Sequence, residues 1–251
     1  MSKSCVIIPA RYNSSRFPGK PLTKLLNQSM IIWVADISAL AVGKENVFIA
    51  TDDNRIAEEA KHNGYQSLMT SPNHLTGTDR IAEAASLIDY DIYINVQGDE
   101  PLIDPKDIKK CIKIKKEKPN AVINGFCWMH DDEDPANINI PKVITTHENK
   151  LIYMSRKAIP GFKDSSKKPS RYKKQVCIYG FNKAQLNKFS QYKKKSSVEE
   201  SEDIEILRFL DLNEDVYMFE CKPGSLAVDV PSDVPKVEHE LKKANNETSR
   251  L

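Results

Sequence analysis

The chain has 251 residues, with 37 basic and 35 acidic side chains, a formal net charge of +2, 40% hydrophobic residues and 29% charged ones. This length fits one large domain or a domain with a subdomain, and the composition is that of an ordinary soluble globular protein. The near balance of charge excludes a general nucleic-acid binder, and the short apolar runs exclude a membrane span and a signal peptide, so a cytoplasmic protein with neither nucleic acid nor membrane as partner is expected.

Residues 4–8 read as a first buried strand that breaks at Pro9. The stretch 7–20, IIPARYNSSRFPGK, then becomes a polar loop carrying Arg11, Arg16 and Lys20. Apolar residues recur on a helical period over 30–41, with Trp33 on the core face, and 46–50 (NVFIA) is a short buried strand. It ends in Thr51-Asp52-Asp53, which can cap a helix over 54–62 closed by Gly64. A strand follows at 66–69, a loop at 70–76 and a helix at 79–88. The apolar strand 91–96 runs into Gln97-Gly98-Asp99-Glu100-Pro101, and a helix over 104–117 starts with Pro105 in its first turn. Strands alternating with helices of this length predict an α/β fold, a doubly wound, mostly parallel Rossmann-like sheet, although no GxGxxG dinucleotide fingerprint is present.

The second half is richer in strands: 121–129, 143–146, 151–154, 176–181 and 216–220, with a short strand end at 227–229. A basic loop is expected over 162–174 and a lysine-rich connection over 192–197. Helices are expected over 182–189, over 202–212 with Ser201 as cap, and over 232–244 with Ser232 as cap, before a frayed polar tail at 245–251. The organisation is one domain over 1–251 with a small β-rich insertion at about 125–185. The five cysteines are far apart and form no CxxC pair, so buried reduced thiols are expected rather than a zinc site or disulfide framework.

Four features point to chemistry. Ligands of open α/β sheets bind in loops at the carboxyl ends of strands, and a stiffened loop with three cations there suits a polyphosphate. Asp99 follows a buried strand on the same sheet edge, where a carboxylate suits magnesium, a hard cation that prefers oxygen ligands and phosphates. Asp229, in LAVDVPSDV, ends a short apolar segment and is a candidate second metal carboxylate. The stretch TSPNHLTGTDR brings His74, Thr76, Gly77, Thr78 and Arg80 to a helix start, where backbone N–H groups can face a ligand. Read one at a time, these are also what a surface loop, a turn and a helix cap would show.

Together the motifs IIPARYNSSRFPGKPL, ATDD, HLTGTDR, NVQGDEPLI, MSRKAIP, IYGF and VDVPSD resemble the 3-deoxy-manno-octulosonate (Kdo) cytidylyltransferases, in the same order over nearly the whole chain. The resemblance implies the nucleotide-diphospho-sugar transferase fold and a homodimeric, magnesium-dependent enzyme that couples CTP to the anomeric hydroxyl of an acidic 3-deoxy sugar and releases pyrophosphate. It implies that Arg11, Arg16 and Lys20 hold the triphosphate, that Asp99 and Asp229 bind the metal, and that Pro9, Ala10, Gln97 and the 74–80 stretch face the nucleotide. The resemblance implies too that Gln97 borders the sugar, that Arg156 meets the sugar carboxylate with its bidentate guanidinium, and that Tyr179 and Glu205 lie on the sugar side. The chain departs from the family pattern at Gln175, where a His is usual, and at Ile206, where Glu205 is usually followed by Gln. Both positions fall on the sugar side, so an amino-sugar analogue, another ulosonate or nonulosonate, or a phosphonate is an alternative acceptor.

Overall fold

The computed structural model describes residues 2–14, 17–224 and 226–248. The expected triphosphate contact Arg16 therefore lies outside the described residues. In chain order the regular elements are β1 (Ser4–Ala10), β2 (Lys24–Leu25), β3 (Gln28–Ser29), α1 (Met30–Val42), β4 (Val47–Thr51), α2 (Asn54–His62), β5 (Gln66–Met69), α3 (Gly77–Ser86), β6 (Ile92–Val96) and α4 (Pro105–Glu117). Then come β7 (Val122–Trp128), β8 (Lys142–Thr145), β9 (Leu151–Ser155), β10 (Lys173–Phe181), α5 (Lys183–Gln191), α6 (Ser197–Glu202), α7 (Leu207–Asp211), β11 (Val216–Glu220) and α8 (Val234–Thr248).

One sheet carries the fold, in the order β11-β7-β10-β6-β1-β4-β5, with β8 added to β10 and β9 to β8. β1 runs parallel to β4 and β6, and β10 runs antiparallel to both its neighbours in that order. The mostly parallel doubly wound sheet is thus what forms. Its strands read as apolar runs because both faces are covered. Along β1, Val6, Ile8 and Ala10 join one core with α1, α2 and α4, while Cys5 and Ile7 join the other with α3, α5 and α7. A third cluster packs Val237 and Leu241 of α8 on Leu25, Met30 and Val228, with Trp33 against it. All five cysteines are free; four are buried and Cys177 is half-buried. Among the described residues no helix is long and apolar enough to cross a membrane.

The 125–185 segment contains most of β7, the β8–β9 hairpin and β10, and only the hairpin leaves the main strand path. Where β10 passes β7 the register slips between Val176 and Tyr179, a bulge. The buried Asn124 amide fills it, donating to the carbonyls of Val176 (3.0 Å) and Ile178 (2.9 Å).

Four local expectations are corrected. The helix expected over 202–212 is two helices, α6 and α7, separated at Asp203, whose φ of 50° lies in the left-handed region. Its cap is Ser196 in a capping box with Glu199, and Ser201 lies inside α6. Contacts to the end of β9, described below, override the local helical period. Residues 227–229 are not a strand; the Val228 N–H donates instead to the Asp99 carbonyl (2.9 Å). Ser232 lies in a 3-10 turn (Pro231–Asp233) rather than at a cap, and the Asp233 carboxylate accepts from the Asp229 and Val230 N–H groups. Finally, α8 continues to Thr248, so residues 245–248 of the expected frayed tail are helical, and 249–251 lie outside the described residues.

Candidate active site

The carboxyl ends of β1 and β6 meet at the site. The loop after β1 is closed by a hydrogen bond from Gly19 N–H to the Tyr12 carbonyl (2.9 Å), and Gly19 has φ 71°, a conformation that glycine adopts without strain. This turn delivers Lys20 into the interior. Its Nζ donates to Asp99 Oδ2 at 2.6 Å and to the Val228 carbonyl at 3.0 Å. With the Val228–Asp99 backbone bond, three distant segments are tied at one point, and Asp229 follows directly.

Two cavities adjoin there. One, of about 300 Å³, is lined by Pro9, Ala10, Arg11, Lys20, His74, Thr76, Gly77, Arg80 and Gln97 among others. The second, of about 280 Å³, is lined by Gln97, Asp99, Arg156, Gln175, Tyr179, Glu205 and Asp229 among others. Gln97, Asp99, Asp203 and Glu205 border both. Gly77 lines the first cavity in close approach to β1 and β6: a Cβ there would sit 3.2 Å from the Gln97 amide and 3.4 Å from Pro9.

In the first cavity Arg80 is buried, donates to the Thr70 hydroxyl (2.6 Å) and pairs with Asp52 (3.2 Å). Burial pulls its pKa down, and the Asp52 charge opposes that pull. His74 contacts the Glu83 carboxylate through Nε2. The N–H groups at the start of α3 are not open to a ligand as expected. Gly77 N–H (3.0 Å), Thr78 N–H (2.8 Å) and the Thr78 hydroxyl (2.6 Å) all donate to Glu205. Thr78 is buried behind the wall rather than lining it. Burial raises the Glu205 pKa, and these donors act against the rise.

In the second cavity, the Gln175 amide donates to Asn124 Oδ1 (3.1 Å) and to the Tyr179 hydroxyl (3.3 Å). The β10 bulge sets Gln175, Cys177 and Tyr179 along this wall. Cys177 and Tyr179 are both pushed up by burial, Cys177 further by Glu100 and Asp99, so both are protonated at neutral pH and neither is a ready nucleophile. Ile206, expected beside the sugar, is 1% exposed in the core with Leu207 and Phe209; Ile204 lines the cavity instead. The turn at Asp203 rotates the side chains of this segment away from the order a continuous helix would have given.

Sequence reading missed Lys195, Glu199 and Asp203. All three line the first cavity, and Lys195 donates to Asp203 Oδ1 at 2.8 Å. A lysine run next to an acidic run looks like a solvated face, and no local signal sets it apart.

The donor set also bears on a metal. Among the described residues no group of three or more His, Cys, Asp or Glu side chains is placed to hold an ion. Two carboxylates, Asp99 and Asp229, line the second cavity on segments joined by a backbone hydrogen bond. That set fits magnesium, which is bound through one or two carboxylates together with substrate phosphates and water.

Residues 5–218 match the family model described as cytidylyltransferase. The chain is 34% identical over 237 residues to the 3-deoxy-manno-octulosonate cytidylyltransferase of Escherichia coli, covering 94% of this chain and 95% of that one. It is 38% identical over 234 residues to the protein of the same name from Solibacter usitatus, covering 92% and 91%. The solved structure of a CMP:2-keto-3-deoxy-manno-octonic acid synthetase complexed with CTP superposes with a TM-score of 0.89 at 33% identity, over 97% of this chain and all of that one. A 4-diphosphocytidyl-2C-methyl-D-erythritol synthase from Anaerococcus prevotii, 11% identical with a TM-score of 0.63, shares the fold alone. By the family model, by identity over nearly the whole of both chains and by fold, the chain belongs to the cytidylyltransferase family, among the 3-deoxy-manno-octulosonate cytidylyltransferases.

Proposed function

We propose that the chain transfers the cytidylyl group of CTP to the anomeric hydroxyl of Kdo with magnesium as cofactor, the first cavity taking the nucleotide and the second the sugar acid. The observation that carries this division is the junction at Asp99, which borders both cavities and binds Lys20 and the segment leading to Asp229. A bond forms between the anomeric oxygen and the α-phosphorus as the bond to the bridging oxygen of the departing pyrophosphate breaks, and the hydroxyl proton leaves to water. Arg11 and Lys20 stabilise the charge that builds on the pyrophosphate. Pro9, Ala10, His74, Gly77, Arg80 and Gln97 shape the nucleotide side, and Arg156, Gln175 and Tyr179 the sugar side. Enzymes of the family generally use a divalent metal; Asp99 and Asp229 would hold magnesium, which when bound would supply Lewis-acid charge at the phosphates.

The Arg156 guanidinium donates to main-chain carbonyls from all three nitrogens, so a sugar carboxylate meets only the second N–H of each terminal nitrogen. We further infer a cytoplasmic homodimer joined through the β8–β9 hairpin. β9 is an edge strand that pairs with β8 and presents Ile152 at 55% exposure, the kind of edge that a second copy covers. Pyrophosphate release tests the reading: CTP, ATP, GTP and UTP are each offered with Kdo, an amino-sugar analogue, other ulosonates and nonulosonates, and a phosphonate. Release with CTP and Kdo, abolished by EDTA and restored by magnesium, is expected. Turnover of another acid with Kdo inert would move the acceptor, and Gln175, already bonded to Asn124 and Tyr179, is the residue that would account for it.

A further inference from the structure

Lys142 opens β8 and is completely buried, yet all three of its ammonium hydrogen bonds go to main-chain carbonyls: Asn137 (2.8 Å), Ile140 (2.6 Å) and Arg156 (2.5 Å). Arg156, at the end of β9, answers it. Its guanidinium donates to the carbonyls of Ile138 (3.0 Å), Glu202 (2.5 Å) and Asp203 (2.9 Å). The Glu202 carboxylate in turn accepts from the Arg156 N–H (2.8 Å) and the Ser155 hydroxyl (2.6 Å). Two cations and one carboxylate thus staple three segments together: the irregular loop before β8, the end of β9 and the end of α6.

The stapled segments are the wall of the second cavity. Asn139, Ile140, Arg156 and Asp203 line it, whereas Lys142 and Glu202 lie behind it. The loop 137–140 is outside the main sheet, so the Lys142 ammonium and the Arg156 guanidinium hold it against the end of β9. A buried ammonium is expensive to desolvate, and it is retained here with no carboxylate among its hydrogen-bond acceptors. Burial, and next the Arg156 charge, lower its pKa, while the Glu202 and Asp134 carboxylates act against that fall without accepting a hydrogen bond from it.

We infer that Lys142 is a positioning residue for acceptor recognition: by holding loop 137–140 and the Arg156 main chain together, it aims the Arg156 guanidinium into the second cavity. The inference rests on the reading that this cavity takes the sugar acid. It predicts a selective effect, because the staple touches the acceptor wall and not the loop that carries Arg11 and Lys20. A misplacement of about 1 Å in a positioning group can lower turnover on the order of a hundredfold.

The test is steady-state kinetics of Lys142→Met, which keeps the apolar stem and removes the donors, with magnesium, CTP and Kdo. The KM for Kdo is expected to rise tenfold or more while the KM for CTP stays within twofold. Lys142→Met combined with Arg156→Lys is expected to be no worse in Kdo KM than Arg156→Lys alone, since one acts through the other. Glu202→Gln, which disturbs the same staple without removing a cation, is expected to shift the Kdo KM in the same direction by a smaller factor, and it carries the test if Lys142→Met does not fold. Unchanged KM values in a folded variant, a parallel rise for CTP and Kdo, or additive effects with Arg156→Lys would each overturn the inference. Failure of the cavity assignment looks different: Arg156→Lys alone, on the cavity wall itself, would then leave the KM for Kdo unchanged.

Discussion

Lys115 lies in a run that reads as a solvated face, yet it is 1% exposed, with its ammonium on the carbonyls of Pro119 and Ala121 and on Gln185 Oε1. Burial brings its pKa from 10.5 down to about 8. Below pH 8 both folded and unfolded chains hold the proton, and the folded state carries the full penalty of a buried charge. Between pH 8 and 10.5 the unfolded chain binds more protons than the folded one, so stability rises with pH across that window. The gain is at most about 3.5 kcal/mol at about 1.4 kcal/mol per pKa unit, and the three carbonyl-type acceptors, which favour the charged form, work to keep it from being larger. Urea midpoints measured from pH 7 to 10.5 should show it as a difference between the unmodified protein and Lys115→Met; parallel curves would refute it. Asp229, by contrast, was legible as a metal carboxylate candidate from its motif. Asp229→Asn should raise the magnesium concentration for half-maximal activity about tenfold or more while leaving the thermal midpoint within a few degrees, and an unchanged magnesium curve would remove it from the metal site.

The α6–α7 segment shows what elements add to residues. Arg208 is wholly buried, forks onto Glu199 (2.6 and 2.7 Å), reaches Asp79 in the first turn of α3 (2.8 and 3.2 Å) and stacks on Phe189. Together with Glu205 on Gly77 and Thr78, it locks the start of α3 that borders the nucleotide cavity. Arg208→Met leaves Glu199 and Asp79 without their cation. It should cost about 3–5 kcal/mol in urea denaturation, as breaking a buried ion pair does. The same variant should weaken CTP binding by calorimetry, because the α3 entrance loses its anchor. Loss of stability with unchanged CTP affinity would show that this network serves the fold alone. The sequence suggested a helix here from apolar spacing, and the spacing is real within each half. The break at Asp203 comes from the carbonyls and carboxylate captured by the end of β9, contacts that no window of a dozen residues contains.

For the whole molecule, the sheet leaves an edge at β9, and the proposed dimer is tested there. Ile152→Asp should convert a dimer of the 28.4 kDa chain to a monomer by light scattering, with its far-ultraviolet dichroism retained. A variant that remains dimeric would move the interface elsewhere.

By itself, the sequence determined the order of most strands and helices, the doubly wound class, the family and about half of the residues that line the two cavities. Periods of 2 and 3.6, caps and motif order are local, and buried parallel strands announce themselves as apolar runs. Only the tertiary structure decided which polar groups are already engaged. Lys20 meets Asp99 across 79 positions and Val228 across 208. Glu205 closes the α3 start from 127 positions away, Ile206 turns into the core, and Lys142 holds Arg156 from behind the cavity wall. Such pairings depend on where the sheet brings distant segments together, and a lysine or glutamate looks the same in sequence whether it faces water, a substrate or a neighbouring carbonyl.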